Sequence, residues 1–177
     1  MLTDPPVVSI IIPTYQRPKM LMKAVESAIM QTYGNIKICI FDNASGDETE
    51  ALVRLLIRKD DRIHYYKNET NIGAFDNFSK GFESVDTKYF CLLSDDDILL
   101  PNFIQNSINV FGENPDIGFV ASRVLVVNEF GDMIGRRINI LKAKLYHPPE
   151  GMLEIIHKGA PTWTGICFNK SAADDVG

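Results

Sequence analysis

Strand-like and helix-like segments alternate four times along this chain of 177 residues, before a more irregular final part. The strand-like segments are short runs rich in β-branched and other apolar residues, and apolar residues at helical spacing follow each of them. We predict the strands at residues 7–12, 36–41 and 62–66 and in a run that begins at residue 89. Such alternation is typical of a parallel sheet covered by crossover helices. We therefore predict one α/β domain over residues 1–177, with a mostly parallel sheet and helices on both of its faces.

Composition and charge narrow the classes of protein to which the chain can belong. The 45% hydrophobic and 23% charged residues are typical of a soluble globular protein. The net charge is −5 and no Lys/Arg-rich stretch is present, so nucleic acid is not an expected partner. No apolar run approaches the roughly 20 residues of a membrane-spanning helix, and the first residues do not resemble a signal peptide. We therefore expect a cytoplasmic protein whose contact with the inner face of the membrane is at most peripheral.

The three cysteines lie far apart, and each is inside an apolar run, which is unlike a disulfide framework or a zinc site. They are Cys39, Cys91 and Cys167. We expect reduced side chains in the core, as in a cytosolic protein.

Polar side chains follow three of the predicted strands at the point where each strand ends. They are Pro13, Thr14 and Tyr15 after the first strand, Asp42 and Asn43 after the second, and Asp95, Asp96 and Asp97 after the fourth. Because the carboxyl ends of parallel strands share one edge of a sheet, we expect these residues to meet in one crevice. Three adjacent carboxylates repel one another unless water or a cation compensates them. Oxygen ligands without nearby His or Cys favour Mg²⁺ or Mn²⁺ over zinc.

Each of these residues also has an ordinary structural interpretation, so the sequence leaves alternatives open. Asp42 is suited to accept a hydrogen bond from a base or a sugar, or to form an Asx turn into the next helix. Tyr15 is suited to stack on a base or to pack at the rim of the core. The three aspartates are suited to hold a metal on a diphosphate, or to form a solvated acidic turn.

Five segments of the chain, in order, resemble family 2 glycosyltransferases, which bind nucleotide sugars with a GT-A fold. They are Val-Ser-Ile-Ile-Ile-Pro-Thr-Tyr-Gln-Arg-Pro at 8–18, Gln-Thr-Tyr at 31–33, Phe-Asp-Asn-Ala-Ser-Gly-Asp at 41–47, Asn-Ile-Gly-Ala-Phe-Asp-Asn at 71–77 with Gly81, and Leu-Ser-Asp-Asp-Asp-Ile-Leu-Leu-Pro at 93–101. The resemblance covers about residues 7–125 with the spacing of the family. It implies a Rossmann-like GT-A sheet flanked by helices on both faces.

The resemblance also implies roles for the matched positions. The implied nucleotide-binding residues are Pro13, Thr14, Tyr15, Arg17, Asp42, Asn43, Asn71, Gly73, Asn77, Asp95 and Asp96, and the implied metal-binding residues are Asp96 and Asp97. Asp42 would read the base, usually uracil. Asn71, Gly73 and Asn77 fit equally well as a tight turn and a helix cap. Arg17 is suited to approach the nucleotide, or only to cap a helix or form a surface ion pair. Ser94 stands where many relatives have the first aspartate of the acidic motif, which leaves open which carboxylate contacts the metal.

The implied reaction moves a sugar from a nucleoside-diphosphate sugar, expected to be UDP-linked, to an acceptor hydroxyl with inversion. Mn²⁺ or Mg²⁺ would neutralise the departing diphosphate, and a carboxylate would accept the proton of the hydroxyl as a general base. The family's Glu-Asp pair that supplies this base is expected beyond Gly177, because Asp174 and Asp175 are predicted to be helix residues. We therefore expect the nucleotide-sugar-binding part of a domain truncated at its C-terminus. The expected acceptor is a carbohydrate or a lipid-linked molecule, as in cell-surface polysaccharide biosynthesis.

Two other functions remain as alternatives at this point. A nucleotidyltransferase-like protein has a related fold, but it usually carries a Gly-rich loop with Arg and Lys after the first strand, where this chain has Pro-Thr-Tyr-Gln-Arg-Pro. A dinucleotide-dependent oxidoreductase would need Gly-x-Gly-x-x-Gly there. A non-catalytic nucleotide-sugar-binding module has the same donor motifs as the enzyme, so the sequence does not separate the two.

Overall fold

The computed structural model describes residues 4–137 and 144–175. The elements in chain order are β1 (Val8–Thr14), α1 (Pro18–Ile29), β2 (Ile36–Asp42), α2 (Thr49–Ile57), β3 (Ile63–Lys67), α3 (Ala74–Glu83), β4 (Tyr89–Leu92), α4 (Phe103–Glu113), β5 (Phe119–Ala121), β6 (Val124–Val127), β7 (Met133–Arg137), α5 (Glu150–Lys158), a 3₁₀ turn (Trp163–Gly165), β8 (Ile166–Asn169) and α6 (Lys170–Asp174). The predicted alternation of four strands with four helices is confirmed.

The main sheet has six strands in the order β3-β2-β1-β4-β8-β5. The first four strands of the chain run parallel to one another, and β8 is antiparallel to both of its neighbours, β4 and β5. The prediction of a mostly parallel α/β sheet is therefore confirmed. Because β1 to β4 run parallel, their carboxyl ends lie along one edge and carry the loops that the sequence singled out.

Both faces of the sheet are covered, as predicted, because successive residues of a buried strand point to opposite sides. In β1, Ile10 and Ile12 pack into the larger core with α1, α2 and α4. Ile11, between them, packs into a smaller core on the other face with Phe41, Phe90 and residues of α3 and α6. The central strand thus fixes the positions of the helices on both sides, and with them the loops at its carboxyl end.

The second sheet is a hairpin of β6 and β7. Asn128 begins its turn, since its side-chain oxygen accepts hydrogen bonds from the backbone N–H groups of Phe130 and Asp132 at 3.0 and 2.9 Å. The residues Glu-Phe-Gly-Asp at 129–132 predict a hairpin turn from the sequence, and the pairing of β6 with β7 confirms it. The weak periodicity of residues 136–149 predicts an irregular loop. This prediction is wrong at its start, where β7 continues to Arg137, and residues 138–143 lie outside the described part.

All three cysteines are buried and free, as predicted. Burial raises the pKa of the Cys39 thiol to about 11 and that of the Cys167 thiol to about 12, so both are protonated at neutral pH. They pack as small apolar side chains in the core. Within residues 4–137 and 144–175, no helix has the length and apolar character that crossing a membrane requires.

Candidate functional site

A cleft of about 510 Å³ opens at the carboxyl ends of β1, β2 and β4, beside the start of α3. Its lining residues are Pro13, Thr14, Tyr15, Arg17, Asn43, Asn71, Gly73, Ala74, Asn77, Phe78, Ser94, Asp95 and Asp96. Ten of the eleven predicted nucleotide-binding residues are among them, and the exception is Asp42. Loops that are more than 80 positions apart in the sequence thus meet in one place.

The acidic turn after β4 contributes two carboxylates of different character. Asp95 is buried, and Oδ2 accepts a hydrogen bond of 2.8 Å from the Thr14 hydroxyl. Nη1 of Arg17 donates to Oδ1 of Asp95 and to Oδ2 of Asp96, both at 3.2 Å. Burial raises the pKa of the Asp95 carboxyl, whereas the Thr14 hydrogen bond and the Arg17 charge act in the opposite direction. The Asp96 side chain, by contrast, is exposed to solvent.

Asp97, the third aspartate of the turn, lies outside this cleft lining. Its Oδ2 accepts a hydrogen bond of 2.6 Å from the hydroxyl of Thr164 in the 3₁₀ turn, and its backbone N–H donates to the Ser94 carbonyl at 3.0 Å. The same Thr164 hydroxyl lies 3.4 Å from the Ser94 hydroxyl. Asp97 therefore ties the acidic turn to the segment before β8, and its role as a metal ligand stays a prediction.

Asp42 lies behind the cleft wall, with only 1% of its surface exposed. Oδ1 accepts hydrogen bonds from the Ser45 N–H at 2.9 Å and the Ser45 hydroxyl at 2.6 Å, and Oδ2 accepts one from the Tyr65 hydroxyl at 2.5 Å. Burial and this last bond raise the pKa of Tyr65. The local Asp42–Ser45 bonds are of the kind that the alternative Asx-turn interpretation predicted. Whether Asp42 also reads a base stays a prediction.

Four asparagines shape the wall of the cleft between β2 and α3. Asn43 Nδ2 donates to Asn71 Oδ1 at 2.8 Å, and Asn68 Nδ2 donates to the side-chain oxygens of Asn43 and Asn77 at 3.1 and 2.9 Å. Asn77 Nδ2 donates in turn to the Phe41 carbonyl at 2.9 Å. Because buried amides are stable only when they are bonded, this network fixes the loop that carries Asn71 and Gly73. The predicted residues thus form the tight turn of the alternative interpretation and also line the cleft.

Two loops at the edge of the cleft hold non-glycine residues at positive φ. Gln16 has a φ of 54° and Ala44 a φ of 60°. Ser45 holds the two loops together, since its hydroxyl accepts from the Gln16 N–H at 2.9 Å and its carbonyl from Gln16 Nε2 at 3.1 Å. This conformation costs roughly 1–2 kcal/mol per residue, and such strain is concentrated at functional sites in proteins.

The residues of the cleft fit a divalent cation that arrives together with phosphate. In the described part of the chain, no three His, Cys, Asp or Glu side chains are grouped to hold a metal on their own. Oδ1 of Asp95 and Oδ2 of Asp96 nevertheless converge on one cationic nitrogen of Arg17. Mg²⁺ is usually bound by one or two carboxylates plus substrate phosphates, which is the ligand set that two carboxylates beside an open cleft can provide.

A second groove, at the opposite edge of the sheet, contains Asp174. It is lined by Val85, Asp86, Thr87 and Lys88 before β4, and by Asn169, Lys170, Ser171 and Asp174 around the start of α6. Asp174 also pairs with Lys170 on its own helix. Asp174 is thus a helix residue, as predicted, and is far from the carboxyl ends where the cleft opens.

Comparison with known proteins identifies the family. The model of "Glycosyl transferase family 2" matches residues 9–177. The chain belongs to this family. An uncharacterised glycosyltransferase of Rickettsia prowazekii is 38% identical over 114 residues, which are 63% of the chain and 35% of the relative. The chain therefore spans about a third of the length of this curated relative.

Two solved structures share the fold of this chain. A mannosyltransferase of Pyrobaculum calidifontis in complex with GDP-Man and Mn²⁺ gives a TM-score of 0.70 at 14% identity, over 99% of this chain and 48% of that one. TarS 1-349 of S. aureus in complex with UDP-GlcNAc gives a TM-score of 0.70 at 16% identity, over 96% of this chain and 47% of that one. The GT-A fold that the sequence motifs implied is confirmed.

Proposed function

We propose that the cleft binds the nucleoside diphosphate of a sugar donor and that the protein transfers the sugar to an acceptor hydroxyl with inversion. The observation that carries the proposal is the convergence of ten predicted nucleotide-binding residues on one cleft at the strand ends. Membership of the family favours glycosyl transfer over nucleotidyl transfer. The exposed ring of Tyr15, at the rim, is available to stack on the base.

We assign the diphosphate end of the donor to Asp95, Asp96 and Arg17. Asp96 is the exposed carboxylate and would hold Mn²⁺ or Mg²⁺ directly, while the Thr14 hydroxyl keeps Asp95 oriented beside it. When bound there, the cation would neutralise charge on the departing nucleoside diphosphate. A Mn²⁺ complex of a structural relative supports the choice of metal.

We propose UDP as the nucleotide, with Asp42 as its base contact from behind the wall. A carboxylate has about four acceptor positions, and the donors on Ser45 and Tyr65 fill three of them. One position remains for the N–H of a uracil if the loop after β2 opens. A UDP-GlcNAc complex of another structural relative supports this base.

Titration of UDP into the protein, with and without Mn²⁺, tests the proposal. Trp163 is the only tryptophan of the chain and adjoins Thr164, which contacts the acidic turn, so its fluorescence and calorimetry provide two readouts. We expect Mn²⁺-dependent binding of UDP that Asp96→Asn abolishes. Asp116→Asn, an exposed aspartate after α4, is the matched control and should bind UDP as the unmodified protein does.

The outcomes separate the parts of the proposal. Binding of GDP or dTDP in place of UDP would overturn the choice of base and keep the donor site. Equal binding of UDP without metal would overturn the role of Asp96. If no nucleoside diphosphate binds in the presence of Mn²⁺, the cleft is not a donor site. Incubation of UDP-sugars with candidate acceptors, with the anomeric configuration of the product read by NMR, then tests transfer and inversion.

A further inference from the structure

Arg17 occupies a position that a cation shared by the two aspartates would need. A single nitrogen, Nη1, lies 3.2 Å from Asp95 Oδ1 and 3.2 Å from Asp96 Oδ2. The Asp95 side chain is only 8% exposed, whereas those of Arg17 and Asp96 are 53% and 50% exposed. A buried carboxylate needs a compensating charge, and here the guanidinium supplies it.

A divalent cation and this guanidinium exclude each other. Mg²⁺ binds oxygen at about 2.0–2.1 Å, so a cation held by both carboxylates would overlap the present position of the Arg17 nitrogen. The two groups are also both positive and would repel each other strongly at such a distance. Arg17 therefore has to leave the aspartates before a metal can bind between them.

The surroundings of Arg17 allow its side chain to move while its backbone stays fixed. Its carbonyl accepts hydrogen bonds from the N–H groups of Met20 and Leu21 at 3.1 and 2.9 Å, and Pro18 begins α1 directly after it. The two ion pairs are partly exposed to water, and pairs of this kind contribute only about 0.2–1 kcal/mol each. A guanidinium also pairs well with phosphate oxygens, because its N–H groups form a planar fork.

We propose that Arg17 is a built-in counter-ion that prevents Asp95 and Asp96 from holding a free divalent cation. It moves to the donor diphosphate when the metal enters with the donor. Metal and nucleotide then bind as one unit, and the donor-free protein has a neutralised, metal-free acidic turn. This inference rests on the proposed donor site and adds an order of binding to it.

The test measures binding of Mn²⁺ alone, without nucleotide, from the electron paramagnetic resonance signal of the free ion. We expect Arg17→Gln to bind Mn²⁺ about tenfold more tightly than the unmodified protein, because the loss of two weak ion pairs frees both carboxylates. Lys19→Gln is the matched control, since Lys19 is exposed and forms no ion pair with any residue that the structure describes. With saturating Mn²⁺, Arg17→Gln should also weaken UDP binding several-fold, as the diphosphate loses its guanidinium.

Three results would overturn the inference. The first is Mn²⁺ binding to Arg17→Gln that is absent or no tighter than in the unmodified protein. The second is an equal gain in Lys19→Gln, which would indicate a general effect of net charge. The third is a gain that persists when Asp96→Asn is added, which would place the metal elsewhere. Any of them can occur while the unmodified protein binds UDP with Mn²⁺, so failure of the inference is distinct from failure of the donor site.

Discussion

Gly81 allows α3 to approach the central strand of the sheet, and its replacement by alanine should destabilise the protein. A Cβ at this position would lie 2.7 Å from Cγ2 of Ile11 and 3.5 Å from Cδ2 of Phe41. Ile11 is completely buried in β1, between β2 and β4, so it has little room to move away. Carbon atoms are normally in contact at about 3.5–4.0 Å, so α3 or Ile11 has to shift by roughly 1 Å.

The magnitude follows from two opposing effects. Overpacking of a core typically costs about 1–3 kcal/mol, whereas alanine gains up to about 1 kcal/mol over glycine in a helix. We expect Gly81→Ala to lower the free energy of unfolding by about 1–2 kcal/mol. For a chain of this size the melting temperature should fall by roughly 2–8 °C, since about 2–4 °C corresponds to 1 kcal/mol.

Urea denaturation and thermal melting measure the effect, with Gly112→Ala as the control. Gly112 lies in α4, and a Cβ there would meet nothing within 4 Å, so this variant keeps only the gain in helix propensity. It should be as stable as the unmodified protein, or more stable by up to about 1 kcal/mol. If Gly81→Ala matched Gly112→Ala in stability, the close packing of α3 on Ile11 would be refuted. Because α3 begins at the cleft, we also expect Gly81→Ala to bind UDP more weakly, and Gly112→Ala to bind it as the unmodified protein does.

Three further substitutions test contacts around the site and in the fold. Tyr65→Phe removes the hydroxyl that donates to buried Asp42, so the free energy of unfolding, measured by urea denaturation, should fall by about 1–3 kcal/mol. An unchanged urea midpoint would contradict this hydrogen bond. Arg62 forms a half-buried ion pair with Asp60 and lowers the pKa of the Asp60 carboxyl. Asp60→Asn breaks this pair and should lower the free energy of unfolding by about 1 kcal/mol at pH 7. The stabilisation by this pair is fully present above the ordinary aspartate pKa of about 3.9 and is lost as pH falls through the lowered pKa. A difference in stability between Asp60→Asn and the unmodified protein that persisted near pH 2 would contradict it. Thr164→Val removes the hydroxyl that donates to Asp97 and should weaken Mn²⁺-dependent UDP binding several-fold in calorimetry. Unchanged binding would show that this hydrogen bond does not affect the donor site.

The alternation of elements and the location of the cleft were predictable because both depend on local patterns. Apolar periodicity identified β1 to β4, and the parallel arrangement then placed their polar ends at one edge. The insertion of β8 between β4 and β5 was not predictable, since strand order depends on contacts between residues 89–92, 119–121 and 166–169. No local pattern of the sequence encodes those contacts.

The residues that the sequence missed act through partners that are distant along the chain. Tyr65 reaches Asp42 only because the register of β2 and β3 pairs Asp42 with Lys67, two positions further along β3. Asn68 has the composition of an exposed turn, yet it is buried and connects two other asparagines of the cleft wall. The roles of Asp42 and Asp97 were uncertain for the same reason, because the donors that bind them lie elsewhere in the sequence.

Buried carboxylates and strained backbone conformations, which lower the stability of a folded protein, lie along the carboxyl edge of the sheet. Buried carboxylates at Asp42 and Asp95 and positive φ at Gln16 and Ala44 all lower stability unless specific partners compensate them. The two apolar cores on either face of β1 supply the stability that offsets these costs. At the opposite edge, Lys37 and Asp86 form an ordinary exposed ion pair that needs no such compensation. This asymmetry is expected if one edge is preorganised to bind an anionic ligand together with a cation, because the cation would then provide the positive charge that Arg17 provides to Asp95 and Asp96 in its absence.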